Sequence, residues 1–586
     1  MAPLAIAIPL LAACLLLVVG GRLPRLVVDL LSTGAAAGCL ANAVVLVATT
    51  TERREVYWLG GWSPRGGHGV GVAFVVDQAS AALSALIALL TVCALLFGWR
   101  YFDTVEPHYP VLVLLFLTGM TGFVLAGDLF TMFVFFELMG AVAYTLAGYE
   151  IEEPDTVQGA FAFGVTNSLG AYFTLTGIAL LYAHTGQLGL SQIGAELAGH
   201  DPSVVVRMGF ALVCVGWLVK AAAAPFHFWL ADAHAVAPAP VCVLFSGVMA
   251  PLGIYGVARV YWTTFAGTLS PHAVLVGFGV VTALVGAVMA GTQRHLKRML
   301  AYSTIAHSGL FLIAVGALTR GGAAAMFTYL TGHAGVKGAL FLLTGMLLAF
   351  YGSVDETELR DRVVHHRVLG GLFVVAALAL AGMPPFGAGL GKALAEESAG
   401  SPVLAAVFVL VSAVTGGAVL RAGLSVYFGL GVRSRVSATV TAGTHEKSEV
   451  RERLPHAPIP MIVAVVALLG ASLALGVVPV LTGLAGRAGA ALADPGGYRA
   501  AVLAGDITAT GAAHVGWSTS GVLLSALSTG AAVLVAVVAL RRPPVPAVLS
   551  RIGAVLHKAH SGHVGDYAAW MMLGVGVLTG AVVLAG

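Results

Sequence analysis

Four ionisable side chains interrupt long apolar runs of this chain: Glu137, Lys220, Lys337 and Lys392. An ammonium at the centre of a bilayer costs about 2.5–3.5 kcal/mol on insertion scales, so it persists only where a partner or water receives it. Four such groups in lipid-length segments describe a path for a small cation, most simply the proton. Glu137 lies in GDLFTMFVFFELMGAVAYTLAGYE and Lys220 in the run at roughly 206–230. The two suit each other: paired, both carry charge, and a pair that opens and closes can hand a proton on. A static pair gluing two helices is the plain alternative, although a buried pair is weak glue.

Lys337 follows His333 by four residues in TYLTGHAGVKGALFLLTG, so both project from one helical face and could relay a proton sideways. A histidine there could equally be a hydrogen-bonded core residue; its ordinary pKa near neutrality is the reason to consider a relay. Lys392, in AGMPPFGAGLGKALAEESA, suits the end of such a path. Snorkelling toward a span end marked by Glu396 and Glu397 is its bland alternative. His227, His234 and His307 remain as accessory groups that could hydrate a passage or hold broken backbone. Seven residues across a Pro-broken helix set no ligand geometry, so His227 and His234 are not read as a metal site. Asp77, in FVVDQASAAL, reads as an interfacial anchor or helix cap.

The elements that hold these groups follow from composition. Hydrophobic residues make up 59% and charged residues 10%, and mean hydropathy is +0.94. No soluble globule could cover such a chain with polar surface, so it reads as an all-α polytopic membrane protein. Spans are expected at roughly 3–20, 26–49, 73–98, 109–126, 129–148, 160–183, 206–230 and 238–262. A second set lies at roughly 270–291, 300–318, 322–351, 368–395, 402–430, 457–482, 518–540 and 567–585, about sixteen in all. The first run lacks a basic flank and leads into another span, so it reads as a retained helix rather than a cleaved signal.

Cys14, Cys39, Cys93, Cys214 and Cys242 all lie in apolar runs without CxxC spacing, which argues against iron–sulfur and zinc sites. No Gly-rich phosphate loop follows a strand-like segment, so nucleotide or nicotinamide cofactors have no home. With Lys220, Lys337, Lys392 and Arg421 set aside as span residues, loops after odd-numbered spans carry 18 Lys and Arg against 8 on the other side. The basic loops, which include Arg294, Lys297 and Arg298, are therefore placed in the cytoplasm and both termini outside. The net charge of +3 gives no reason to invoke nucleic acid.

Two stretches of about five spans, 109–262 and 270–430, form the centre. They are flanked by an N-terminal group of three spans, 1–108, and a C-terminal group, 431–586. Lys220 precedes Pro225, and Lys392 follows Pro384 and Pro385. Proline removes an internal hydrogen bond and clashes with the preceding turn, so the seventh and twelfth spans should break in mid-membrane. Paired broken helices in corresponding halves point to an ion site in an inverted-repeat transporter.

Five strings carry a resemblance: GDLFTMFVFFE around Glu137, VKAAAAPFHFWLADAHAVAPAPV from Val219, QRHLKRMLAYSTIAHSG from Gln293, HAGVKGALFLLTG from His333 and AGMPPFGAGLGK ending at Lys392. They resemble the antiporter-like subunits shared by respiratory complex I (NADH:quinone oxidoreductase), membrane-bound hydrogenases and Mrp-type cation/proton antiporters. The tail HSGHVGDYAAWMMLGVGV, from His560, looks like that of relatives grouped with the largest complex I antiporter-like subunit. The resemblance implies two inverted five-helix repeats with broken helices 7 and 12. It also implies a hydrated axis of Glu137, Lys220 and Lys392, with His333 and Lys337 between. It departs at one point. Where many relatives carry a lysine in the eighth helix, this chain reads SGVMAPLGIYG, with Pro251 at that position. Water, His307 or His333 is then expected to span the gap.

The function expected is that of a proton-translocating membrane subunit, with protons and possibly Na⁺ as cargo. Its partners would be the lipid bilayer and other membrane subunits, and its place a prokaryotic cell membrane. A silent structural scaffold is the runner-up, and an organic-solute transporter a weaker third. Any redox activity would belong to another polypeptide, so this chain is expected to hold no catalytic residue, cofactor or metal.

Overall fold

The computed structural model describes residues 1–64, 71–102, 108–431, 454, 456–541 and 547–584. At membrane depth no water pairs the backbone, so each apolar run satisfies its own N–H and C=O groups as a helix. α1 (Ala2–Val19) and α2 (Arg25–Thr49) are peripheral and leave leucines such as Leu11 and Leu15 exposed. A two-stranded antiparallel sheet follows, β1 (Glu55–Trp58) with β2 (Ala73–Val76); the all-helical expectation leaves this pair out. α3 (Gln78–Tyr101) opens with a capping box, in which the Asp77 carboxylate accepts from Ser80 N–H and the Ser80 hydroxyl accepts from Asp77 N–H. α4 (His108–Leu125), α5 (Leu129–Ala147), α6 (Pro154–Thr185) and short α7 (Leu190–Glu196) come next.

α8 (Val204–Lys220) ends at the lysine, and α9 (Phe228–Val236) restarts beyond Pro225. α10 (Ala239–Leu244) passes through a π-helical turn, Phe245–Met249, into α11 (Ala250–Val260). That turn accommodates Pro251, which has no N–H to give and whose ring would crowd an ordinary α-turn behind it. The helix therefore continues past this proline.

α12 (His272–Thr292) and α13 (Leu296–Gly316) pack through glycines. A Cβ at Gly286 would stand 2.4 Å from Ala306 N, and one at Gly309 2.4 Å from Ala283 N. Close backbone approach of this kind is how helices adhere without a hydrophobic drive between them. α14 (Arg320–Tyr351), α15 (Glu356–Leu359), α16 (Arg367–Leu380), α17 (Gly387–Ser398) and α18 (Pro402–Phe428) complete the centre. The C-terminal part adds α19 (Ile459–Val477), α20 (Pro479–Leu492), α21 (Pro495–Arg499), α22 (Thr519–Arg541), α23 (Ala547–Ala559) and α24 (Val564–Leu584).

Among the described residues, 13 helices are long and apolar enough to cross a membrane. The protein is an all-α, multi-pass integral membrane protein. The remaining spans of the expected sixteen fall on α6, which is longer but more polar, and on the proline-interrupted pairs α8/α9 and α16/α17.

A hydrogen-bond pattern recurs along the chain. The start of α5 is tied to the segment after α6 by Leu129 N–H to Leu188 O at 3.0 Å and Leu190 N–H to Gly127 O at 3.1 Å. The start of α13 is tied to the segment after α14 by Leu296 N–H to Val354 O at 2.9 Å and Glu356 N–H to Arg294 O at 3.1 Å. α6 and α14 are each 32 residues long, and each ends on a left-handed glycine, Gly186 and Gly352.

Two sequence expectations need correction here. Asp77 is more than an interfacial cap: it is buried and receives two bonds from Arg259 of α11, at 2.7 and 2.9 Å. Lys297 is not a loop charge. α13 begins at Leu296, ahead of the expected span, and carries Lys297 into the interior, where its ammonium donates to Ala237 O at 3.2 Å.

Candidate ion-transfer site

The first break is built by satisfying the backbone that the proline frees. The Trp229 indole N–H donates to Val219 O at 2.9 Å, and Ala224 N–H to Thr282 Oγ1 at 2.9 Å. Lys220, 0% exposed, stands in the last turn of α8, where the carbonyl end of the helix favours a cation. Its ammonium lies 4.6 Å from the Phe136 ring centroid and 5.7 Å from that of Phe163, with no hydrogen-bond partner among the described residues. Gly140 of α5 makes room for it, since a Cβ there would come 3.3 Å from Lys220 Nζ. The expected Glu137–Lys220 ion pair is not closed: no contact within 4.0 Å joins them. Glu137 sits on α5 in a half-buried position, close enough for its charge to act on the lysine.

The second break repeats the first in its backbone. Ala221, Ala222, Ala223 and Phe226 donate to the carbonyls of Trp217, Val219, Leu218 and Ala223. Ala381, Gly382, Met383 and Phe386 donate to those of Ala377, Ala379, Leu378 and Met383, the same four bonds 160 residues on. Each break also holds a cis X–Pro bond, Ala224–Pro225 and Pro384–Pro385. The lysine, however, lies on the other side of the break. Lys392 is in α17, where its Nζ stands 2.7 Å from Glu396 Oε1, both side chains being buried. The contact is a closed, buried ion pair one helical turn long. Snorkelling is thereby excluded for Lys392.

Between the breaks lies a chain of buried rings and cations. Lys337 donates to Leu300 O and Ser303 Oγ of α13. His333, one turn away on α14, has no hydrogen-bond partner among the described residues, and its ring centroid is 4.8 Å from that of His307. His307 bonds Tyr329 Oη at 2.8 Å and Thr415 Oγ1 at 3.2 Å. His307 therefore stands within reach of the charges of both Lys337 and Lys392. On the first-break side of Lys337 stands His234 of α9, stacked on Phe341 at 4.7 Å and within reach of the Lys337 and Lys297 charges. His227 lies inside the first break, 5.0 Å from the His560 ring.

Of the eight residues expected to carry or assist transfer, seven are buried and Glu137 is half-buried. They form three groups: Glu137 with Lys220 and His227 at the first break, the cluster of His234, Lys337, His333 and His307, and Lys392. Sequence reasoning missed Glu396 and Tyr329 as members. Both were reachable by helical spacing, Glu396 four residues after Lys392 and Tyr329 four before His333. Lys297 carried no such signal.

A many-span membrane protein whose core holds a line of lysines and histidines belongs to the class that moves small cations or couples to their movement. Residues 126–419, half of the chain, match the family described as NADH:quinone oxidoreductase/Mrp antiporter, TM, and the chain belongs to that family. It is 31% identical over 396 residues to the NADH-quinone oxidoreductase subunit N of Desulforudis audaxviator, covering 65% of this chain and 77% of the relative. It is 27% identical over 399 residues to a Na(+)/H(+) antiporter subunit of Bacillus subtilis, covering 66% and 78%. In fold it is similar to a chain of the Mrp complex from Dietzia sp., with a TM-score of 0.75, 28% identity, and coverage of 86% of this chain and 99% of that one.

Proposed function

We propose that this chain is the proton-conducting subunit of a multisubunit membrane complex of the Mrp or complex I type. Protons would move along Glu137, Lys220, His234, Lys337, His333, His307 and Lys392, with exchange for Na⁺ or K⁺ as the relatives' names suggest. The observation that carries the reading is Lys220, a wholly buried ammonium at the end of a broken helix with no hydrogen-bond partner among the described residues. A cation left in that state does little for stability. It suits a group that alternately takes and releases a proton, closing on Glu137 in one state and facing the interior in the other.

The recurring backbone bonds support two repeats, 109–262 and 270–430, between flanking groups 1–108 and 431–586. α13 is the fifth crossing after its counterpart α5, and an odd step along the chain supports inverted orientation. The excess of basic loops supports an orientation with both termini outside, and the bacterial relatives support a prokaryotic cell membrane. Pro251 favours a second reading, a scaffold with a silent path, because it stands where the family resemblance implies a lysine.

The two readings separate on proton flux in proteoliposomes holding the whole complex. Lys220→Ala and Glu137→Gln should each lower flux by about a hundredfold, the low end of what a positioned acid–base group contributes. Unchanged flux in both variants, with assembly intact, favours the scaffold.

A further inference from the structure

The C-terminal helix α24 lies outside the family-matched residues 126–419, yet it packs directly on the first break. A Cβ at Gly574 would stand 2.6 Å from Phe226 Cε1 and 2.7 Å from Pro225 Cγ, so the helix backbone is pressed against the broken segment. The Tyr567 hydroxyl donates to Asp232 Oδ2 at 2.7 Å, and Asp232 also meets Arg298 at 3.4 Å. The Tyr567 ring stacks on Phe228 at 5.3 Å. These contacts place His560, at the turn between α23 and α24, beside His227: the two ring centroids are 5.0 Å apart.

The surroundings of this pair grade from water to core. Ser561 and His563 are exposed, His560 is half-buried, and His227 is 4% exposed. Neither nitrogen of His227 holds a hydrogen bond of normal geometry, although the Pro225 carbonyl is near. His560 Nδ1 lies 2.8 Å from Leu556 O. A carbonyl only accepts, so Nδ1 carries the hydrogen and Nε2 the lone pair of the neutral ring. Among the described residues, the titratable groups around the two rings include Tyr302 of α13, whose ring is 5.5 Å from that of His560, with Asp232, Arg298 and Tyr567 beyond.

We propose that α24 supplies a proton-uptake port to the first break, with His560 as the outer and His227 as the inner relay group. A proton from the basic-loop face binds His560 at Nε2. It passes to a ring nitrogen of His227, whose other nitrogen releases one toward Lys220, and both rings return to neutral. Asp232, pinned by Tyr567 and Arg298, is a positioning residue that holds α24 in register. The port rests on the proton-conducting reading above.

The test uses the whole complex in vesicles with a trapped pH dye and a pH jump applied to either face. His560→Ala should slow uptake from the basic-loop face by about a hundredfold, as for loss of a positioned acid–base group, and added imidazole should restore part of the rate. His560→Gln, which keeps a hydrogen-bonding side chain, should be as slow and should respond less to imidazole because the space stays filled. A normal rate in His560→Ala beside a silent Lys220→Ala overturns the port and leaves the conducting reading standing. Slowing that imidazole does not relieve means α24 is only a packing element and overturns the port too. Normal rates in both His560→Ala and Lys220→Ala overturn the two together.

Discussion

The two broken helices share a backbone and differ in where the charge stands. Around both, the same four amide bonds close the interruption. Lys220 ends the helix before its break, while the position 160 residues on is Leu380; Lys392 follows its break, and its counterpart in the first half is Asp232. The local field accounts for the rest. At the carbonyl end of α8 a cation is favoured without a carboxylate in contact, so Lys220 stands open. Lys392 lies in the second turn of α17, near the end of a helix that disfavours a cation, and it is closed on Glu396 at 2.7 Å. One shared backbone arrangement therefore holds an open lysine at one break and a closed lysine at the other, a contrast that the proposed relay would use.

Removing the closed pair's cation should have the largest effect on stability. Lys392→Met leaves Glu396 buried and unpaired, at a cost of about 3–5 kcal/mol, and Lys392→Met with Glu396→Leu should recover most of it. Lys220→Met leaves no bonded carboxylate behind and should hold or raise stability. Thermal midpoints of the solubilised complex check this, and equal losses at both lysines would erase the distinction between open and closed. A smaller contrast concerns the glycines beside each lysine. Gly382 has φ +103°, and a Cβ there would meet Lys392 Cδ at 3.0 Å, so Gly382→Ala should cost about 1–3 kcal/mol. Gly140 is inside a helix, where Ala is favoured by roughly 0.5–1 kcal/mol. Gly140→Ala should therefore keep stability while crowding the Lys220 ammonium; parallel losses in the two variants would sink the comparison.

Much of the site was legible because its signals are local. A lysine in an apolar run beside proline marks both breaks, and four-residue spacing relates His333 to Lys337. What was not legible depends on how helices sit against one another. The placement of α5 leaves Glu137 with no contact to Lys220 within 4.0 Å, and no spacing in the sequence records it. The burial of Lys297 follows from where α13 begins, a boundary that hydropathy blurs when a charged turn is drawn inside. The π turn before Pro251 keeps the helix whole although the residue type favours a break. The docking of α24 on Pro225 and Phe226 joins residues more than 300 apart in the chain, beyond any periodic signal.

Under the proposed function the two breaks belong to one path through the cluster at the middle. Lys337 holds that position, bonded to α13 and near both His234 and His307. Proton flux through the reconstituted complex carrying Lys337→Met tests it most directly. The expected result is loss of flux as complete as in Lys220→Ala, with the complex still assembled; flux near the wild-type rate would contradict a single continuous path.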